Sequence, residues 1–321
     1  MFDIGILGQR NDPQVSALQK ALEQRGAKAH VIDFQPFPKY NIASMNGVWS
    51  FDDIRHFGSL DLMQLKVIHL RKAYFDTPDA QRVVRASRSE MIAQVSEQMA
   101  KISFQINFAQ AIARHTPVIN PAHSFVYHRQ KALQHQLLLR NGIPTPSALI
   151  TSDMISARAF VQAMNGQVVA KPQASGAEVV LADHDFWQQC GNSQNIRPYM
   201  FQQFVRGRSF RLYALGGRIV SMGEIEYDRR YIDWRERTQS VKLLSPDATI
   251  AAQVAKATRL LDMPICGIDL EYDNRTQQTY FLDFNPSALF VGWSRMTGFD
   301  MADSIACYLL QIAKNGGKIW F

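Results

Sequence analysis

Two lysines, two aspartates and an asparagine carry the clearest chemistry in this sequence. Lys171 closes the apolar run Gln167-Val168-Val169-Ala170 and is followed by Pro172. An ammonium at the end of a buried strand is costly unless it meets an anion; the alternative is that it snorkels to the surface. Lys131 lies on a predicted helix closed by Asn141-Gly142. Downstream, Gly267-Ile268-Asp269-Leu270-Glu271 and Phe281-Leu282-Asp283-Phe284-Asn285-Pro286 both read as strands. Strand side chains alternate between faces, so Asp283 and Asn285 share one face, Phe284 takes the other, and Asp269 on the adjacent strand can face the pair. Two carboxylates and an amide oxygen are hard donors suited to Mg²⁺ held with nucleotide phosphates; the bland alternative is two solvated strand faces. The small residues Gln173-Ala174-Ser175-Gly176-Ala177 would let backbone amides approach phosphate oxygens. Together these are a phosphate clamp and a metal platform, the minimum equipment for phosphoryl transfer.

These residues need a scaffold, and the periodicity supplies one. Residues 3 to 7 read as a buried strand, and Asp12-Pro13 caps a helix carrying Val15, Leu18, Ala21 and Leu22, which Gly26 stops. Ala29 to Phe34 completes a βαβ unit. Residues 35 to 64 read as irregular, and Leu65 to Leu70 as a short strand ending at Arg71-Lys72. A helical tract from about Pro78 to Arg114 places Ile92, Val95, Met99, Ile102 and Ile106 on one face, and its length suggests two helices or one that bends. The main domain boundary is placed near residue 122. Beyond it come a helix over 126–140 and strands over 147–151, 167–171, 178–182, 199–204, 209–215 and 218–225. Gly216-Gly217 reads as the turn of a hairpin. A helix over 247–262, strands over 265–272 and 279–284 and a helix over 300–314 complete the chain.

The whole chain has 321 residues, 46% hydrophobic and 20% charged, an ordinary globular composition with no run long enough to span a bilayer. The start reads as a first strand with no secretory signal. Cys190, Cys266 and Cys307 have no paired spacing, which fits a reduced cytosol and excludes a disulfide framework. The net charge of +7 favours acidic partners, but the basic residues are scattered and argue against a nucleic-acid-binding module.

The order Lys131, Ile143-Pro144-Thr145-Pro146, Lys171-Pro172, Phe201-Gln202-Gln203-Phe204-Val205, Arg211, Gly267-Ile268-Asp269 and Asp283-Phe284-Asn285 resembles the ATP-grasp ligase superfamily. Within it, Ile232-Asp233-Trp234-Arg235 and Phe281 to Gly298 look most like the branch of ribosomal-protein glutamate ligases and microviridin-type peptide maturases. The stretch Val67-Ile68-His69-Leu70-Arg71-Lys72 looks like that branch's arginine-bearing strand. The resemblance implies an α/β (α+β) ATP-grasp fold, two α+β subdomains gripping ATP. A small Rossmann-like pre-ATP-grasp domain over 1–122 would precede an ATP-grasp domain over 123–321, split into a lid over about 123–200 and a metal-binding part over 201–321. It also assigns roles. Lys131, Lys171, Ser175 and Gly176 would hold phosphates; Gln203, Phe204 and Val205 would form the adenine-reading hinge; Asp269, Asp283 and Asn285 would bind two Mg²⁺ ions, with Mn²⁺ as a substitute. Arg211 and Arg235 would neutralise the transferring phosphoryl group.

The implied activity is a carboxylate-amine or carboxylate-hydroxyl ligase acting through an acyl-phosphate, in the cytoplasm and away from membranes. Its substrate would be an acidic peptide or protein tail, or alternatively a small amino acid or metabolite; relatives suggest a homodimer through the first domain. Departures from the family keep an ATP-binding regulatory protein as the other alternative. Asp283 stands where relatives usually carry Glu, Arg206-Gly207-Arg208-Ser209 replaces the ribose-binding acid, and the phosphate loop has a single glycine.

Overall fold

The computed structural model describes residues 1–33, 40–45, 48–53, 59–72, 87–172, 179–191, 194–228 and 238–320. The chain divides into two compact units. Met1–His123 form the first together with Leu289–Gly292 and Asp300–Trp320; Ser124–Ala288 and Trp293–Phe299 belong to the second. The stretches 289–292 and 300–320 thus group with the N-terminal residues, although they follow residue 122 in sequence.

In the first unit, strand β1 (Asp3–Leu7), helix α1 (Pro13–Gln24) and strand β2 (Lys28–Ile32) form the expected parallel βαβ unit. Asp12 accepts a bond from the Gln14 amide, Pro13 opens the helix, and Gly26 follows its end with φ of 77°. Residues 35 to 64 are not irregular throughout, as the sequence suggested. Strands β3 (Tyr40–Met45), β4 (Val48–Asp53) and β5 (Ser59–Asp61) make a small antiparallel sheet. Register pairs Met45 with Val48, and Asn46-Gly47 between them is the dipeptide that best marks a hairpin. Strand β6 (Val67–Leu70) pairs with β1, and helix α2 (Arg88–Ile112) leads to β7 (Val118–Ile119), giving the order β2-β1-β6-β7. Ser87 and Glu90 cap α2 reciprocally, so the helix starts at residue 88 and runs as one element; the expected portion over 78–86 lies outside the described residues. Ile4, Ile6, Leu7, Val67, Ile68 and Leu70 are buried in this parallel sheet, which explains their near-continuous apolar runs.

The second unit opens with α3 (Val126–Arg129) and α4 (Lys131–Arg140), broken at Gln130 where one helix was expected. The first sheet contains β8 (Ala148–Asp153), β9 (Val168–Pro172), β10 (Val180–Leu181) and β11 (Asn195–Gln203), antiparallel in the order β10-β9-β11-β8. Helices α5 (Met154–Ala163) and α6 (His184–Cys190), unread in the sequence, are capped by Asp153 and Asp183. They cover one face through Ala157, Phe186, Val168, Ala170, Tyr199 and Phe201.

The second sheet runs β14-β13-β12-β15-β16, from β12 (Gly207–Leu215), β13 (Arg218–Tyr227), β14 (Thr238–Leu243), β15 (Ile265–Asp273) and β16 (Gln278–Asn285). Gly216 and Gly217 both take positive φ, 57° and 88°, between the paired Leu215 and Arg218. Helix α7 (Ala248–Leu260) and α4 cover one face, burying Leu138, Val254, Leu212, Ile268, Phe281 and Phe284. Each such side chain contributes about 1.5–3 kcal/mol. After α8 (Val291–Thr297), helix α9 (Met301–Lys314) joins the first unit and packs on α1. No helix among the described residues is long and apolar enough to cross a membrane.

Candidate functional site

Alternation along β12 sends Phe210, Leu212 and Ala214 into the apolar core and turns Arg211 and Tyr213 to the other face. Register places Asp269 of β15 beside Arg211 and opposite Asp283 of β16, with Gly267 opposite Asn285. A break in register follows: Asp269 pairs with Asp283, but Leu270 pairs with Phe281, so Leu282 is the extra residue of a bulge. The bulge lets Phe281 and Phe284 both face the core, stacked at 5.6 Å. Leu282 and Asp283 line a pocket with Lys131, Gln134, Thr145, Lys171, Met200 and Gln202.

The cations converge from three elements. Lys131 is the first residue of α4, and its Nζ lies 3.4 Å from Asp283 Oδ2. Lys171 projects from β9 on the face opposite the α5/α6 core, beside Met200 of β11; its Nζ donates to Gln202 Oε1 at 2.5 Å. Arg211 Nη1 donates to Asp269 Oδ1 at 2.7 Å, and the guanidinium lies over the Tyr213 ring at 5.0 Å. Burial works against the charge of Arg211, but Asp269 and Tyr213 more than offset it and hold the pKa above the ordinary arginine value. Burial likewise opposes ionisation of Asp283; the charges of Lys131, His128, Lys171 and Arg211 outweigh it and hold the carboxyl below its usual range. Asp283 is therefore a carboxylate at neutral pH.

The donor set suits a hard cation. Asp269 and Asp283 are only partly screened from solvent, at 22% and 19% side-chain exposure, and cations already sit against both. Asn285 Oδ1 accepts from the Ser287 amide at 2.9 Å, which fixes its orientation and leaves a lone pair. Two carboxylates and an amide oxygen suffice where phosphates and water complete the coordination of Mg²⁺.

Of the hinge residues, the Gln203 amide donates to Ser147 and the Phe204 amide to Gln167. Neither bond consumes the Gln203 carbonyl or the Val205 amide, backbone groups of the hinge to which the resemblance assigned base reading. Arg206 lies over the Phe204 ring at 5.5 Å. Ser175, Gly176 and Arg235, with Trp234, lie outside the described residues.

Three neighbours were not legible as site residues. Gln202 is almost wholly buried and holds Lys171; it is two residues from Met200 on the same strand face, a spacing that could have found it. Gln134 clamps β16 by donating to the Phe284 carbonyl and accepting from the Phe284 amide, at 3.0 and 3.1 Å. It lies one helical turn from Lys131, on the same face. His128 adds charge near Asp283 from α3.

The family of RimK-like ATP-grasp domains matches residues 128–309, more than half of the chain, and the chain belongs to it. Over 212 residues it is 26% identical to a probable alpha-L-glutamate ligase of Pasteurella multocida, covering 61% of this chain and 65% of that protein. Over 204 residues it is 22% identical to another of Haemophilus influenzae, covering 60% and 66%. The match thus spans slightly less than two thirds of the length of these relatives. Among solved structures, the ATP-grasp ligase PsnB, complexed with minimal precursor, Mg and ADP, has a TM-score of 0.80 at 20% identity over 97% of both chains. The macrocyclase MdnC from Microcystis aeruginosa MRC, bound with precursor peptide MdnA, reaches 0.74 at 18% identity over 96% of this chain and 99% of its own. The family match bears out the expected family, and the structural likeness the ATP-grasp fold.

Proposed function

We propose that this protein is an ATP-dependent ligase that joins a carboxylate of a peptide or protein to an amine or hydroxyl through an acyl-phosphate. The observation that carries the reading is the carboxylate pair Asp269/Asp283, with Lys131 from a helix start against Asp283, Arg211 against Asp269, and Lys171 from a separate sheet lining the same pocket as Asp283. Two cations from different elements around paired hard donors fit a triphosphate better than any neutral ligand. A peptide substrate is supported by PsnB and MdnC, which are bound to precursor peptides, and glutamate addition by the names of the sequence relatives.

In this reading Asp269, Asp283 and Asn285 hold Mg²⁺, which neutralises phosphate charge when bound. Lys131 and Lys171 hold the phosphates, Lys171 oriented by Gln202. The substrate carboxylate oxygen attacks the γ-phosphorus and the bond to ADP breaks. The amine or hydroxyl then attacks the acyl carbon, phosphate leaves, and the nucleophile's proton passes to solvent. Arg211 stands where charge accumulates, and positioning with fixed electrostatics carries the rate. The test is ADP release from Mg-ATP with pools of acidic peptides and free amino acids, followed by mass spectrometry. Acceptor-dependent ADP with water loss or an added residue is expected; nucleotide binding with no turnover under any acceptor would favour a regulatory protein and sink the ligase.

The first unit supports a second partner, another copy of this chain. Met91, Ile92, Val95 and Met99 on α2 are each 40% exposed or more. With Ile102 and Ile106 the sequence repeats at the 3-4 spacing of a coiled-coil seam, flanked by uncharged Ser96, Gln98, Ser103 and Gln105, so self-pairing brings no like charges together. Ile92→Glu with Val95→Glu should convert a dimer to a monomer by light scattering; a wild-type chain that is already monomeric at high concentration removes this partner. A cytoplasmic location fits three cysteines that form no disulfide.

A further inference from the structure

Gln134 puts a polar side chain at a core position. With Leu138 it forms the buried face of α4, and it is 3% exposed. A buried carboxamide is costly unless its donor and its acceptor are both satisfied. Both are spent on one residue of β16. Nε2 donates to the Phe284 carbonyl at 3.0 Å, and Oε1 accepts from the Phe284 amide at 3.1 Å. Because β16 ends the order β14-β13-β12-β15-β16, its outer edge offers backbone groups that no described strand takes up. Gln134 pairs with that edge as a neighbouring strand would. The edge is held a second time at Phe281, whose amide donates to the Pro144 carbonyl at 2.8 Å. Leu282, the extra residue of the bulge, lies between the two grips.

Two placements give this clamp a role beyond closing a sheet edge. Phe284 sits between Asp283 and Asn285, and the peptide groups that Gln134 holds are those joining Phe284 to each of them. Fixing both peptide planes fixes the direction in which the two donor side chains leave the strand. The clamp also comes from the helix turn that carries Lys131, whose Nζ lies 3.4 Å from Asp283 Oδ2. Metal donors and phosphate cation are thus tied into one frame directly after a bulge, where a slip in pairing would turn the donors to the other face. We propose that Gln134 is a positioning residue for the metal platform, holding Asp283 and Asn285 at a fixed spacing from each other and from Lys131. The inference rests on the ATP reading of the site and adds to it the device that keeps the Mg²⁺ donors in place.

Titration of Mn²⁺ into the full-length chain with a non-hydrolysable ATP analogue, read by electron paramagnetic resonance, tests this, with Mg²⁺ and Ca²⁺ as competitors for the bound Mn²⁺. Gln134→Met fills similar space without either hydrogen bond. It should weaken Mn²⁺ and Mg²⁺ by about tenfold or more, the scale seen when a group that orients metal ligands is lost. Ca²⁺ should weaken by less than about threefold, since it accepts irregular coordination that Mg²⁺ does not. Val254→Ala, in the same core on α7, should lower the melting temperature and leave all three affinities at wild type. Without metal or nucleotide, the Phe284 amide should exchange faster with solvent in Gln134→Met. Unchanged Mg²⁺ affinity in Gln134→Met overturns the proposal and leaves a structural edge clamp. So does an equal loss of Mg²⁺ and Ca²⁺, or the same Mg²⁺ loss in Val254→Ala. If the methionine variant does not fold, Gln134→Asn takes its place, its amide one methylene too short to reach both Phe284 groups. The same fall in Mg²⁺ affinity is expected there, and wild-type affinity overturns the proposal. Wild type that binds neither the analogue nor Mn²⁺ overturns the ATP reading itself, a result separate from any of these.

Discussion

Asp283 is held ionised by four nearby cations against the pull of burial. Asp283→Asn keeps the shape and removes the charge, so ATP turnover should vanish while the melting curve stays cooperative; near-normal ADP release would remove this residue from the metal set. Lys171→Ala should chiefly weaken nucleotide binding, read as a loss of affinity by calorimetry. A less visible residue is Gly267. A Cβ there would come within 2.2 Å of Arg211 Nη2 and 2.4 Å of the Ala288 Cβ, and the guanidinium has no easy retreat because Asp269 and Tyr213 hold it. Gly267→Ala should therefore cost about 1–3 kcal/mol in denaturant melts and depress turnover by displacing Arg211. Wild-type stability together with wild-type turnover would show that the guanidinium moves freely. The charged residues of the site were legible because a lysine at a strand end or a pair of aspartates on strands violates ordinary patterning. Gln134 and Gln202 were not, since a glutamine in a helix or in a strand looks ordinary until separate elements are brought together.

The elements themselves followed the hydrophobic periodicity where one period persisted. Strands β12, β13 and β15 and helices α7 and α9 lie close to their expected bounds, and the Gly-Gly turn has the positive φ angles it requires. The period failed where it changes within an element. In β16, strict alternation would put Phe281 on the face of Asp283, yet Phe281 faces the core with Phe284. One extra residue, Leu282, resolves the conflict, and no propensity announces a bulge. Deleting Leu282 would force either Phe281 or Asp283 onto the wrong face. A buried unpaired carboxylate or an expelled aromatic costs about 3 kcal/mol or more, so the deletion should broaden or abolish cooperative melting and lose nucleotide binding. A variant that melts like wild type and still turns over ATP would show that the alternation recovers elsewhere. Helices α5 and α6 were missed for a different reason: both are short and packed on a sheet, where tertiary burial compensates for a weak local signal.

At the scale of the molecule, the first unit carries its own pH sensitivity. His69 on β6 is buried, and burial first, then the nearby charge of Arg71, pushes its pKa down from 6.5 to about 3, while its Nδ1 lies 3.0 Å from the Ile119 carbonyl. The unfolded chain takes up this proton near pH 6.5 and the folded one does not until about pH 3, so stability falls as pH drops through that window. Between pH 7.5 and 5 the loss should be about 2 kcal/mol. His69→Gln should flatten that part of the pH profile in denaturant titrations; an unchanged slope would assign the sensitivity to other groups. The same unit is built from distant stretches of chain. Gln14 of α1 accepts bonds from the Phe290 and Val291 amides at 2.8 and 2.9 Å, Arg25 pairs with Asp303, and α9 lays Met301, Ile305, Leu309 and Ile312 into buried positions. Residues 1–123 made alone should therefore fail to melt cooperatively, and a sharp transition would show that the fragment is self-sufficient. On the ribosome the order of events is fixed by this geometry. At about 5–20 residues per second, the strands and helix made first wait on the order of tens of seconds for α9 to emerge. The unit begun first is completed only after the second unit has been translated, and its nascent apolar helix face is the surface a chaperone would meet in the interval.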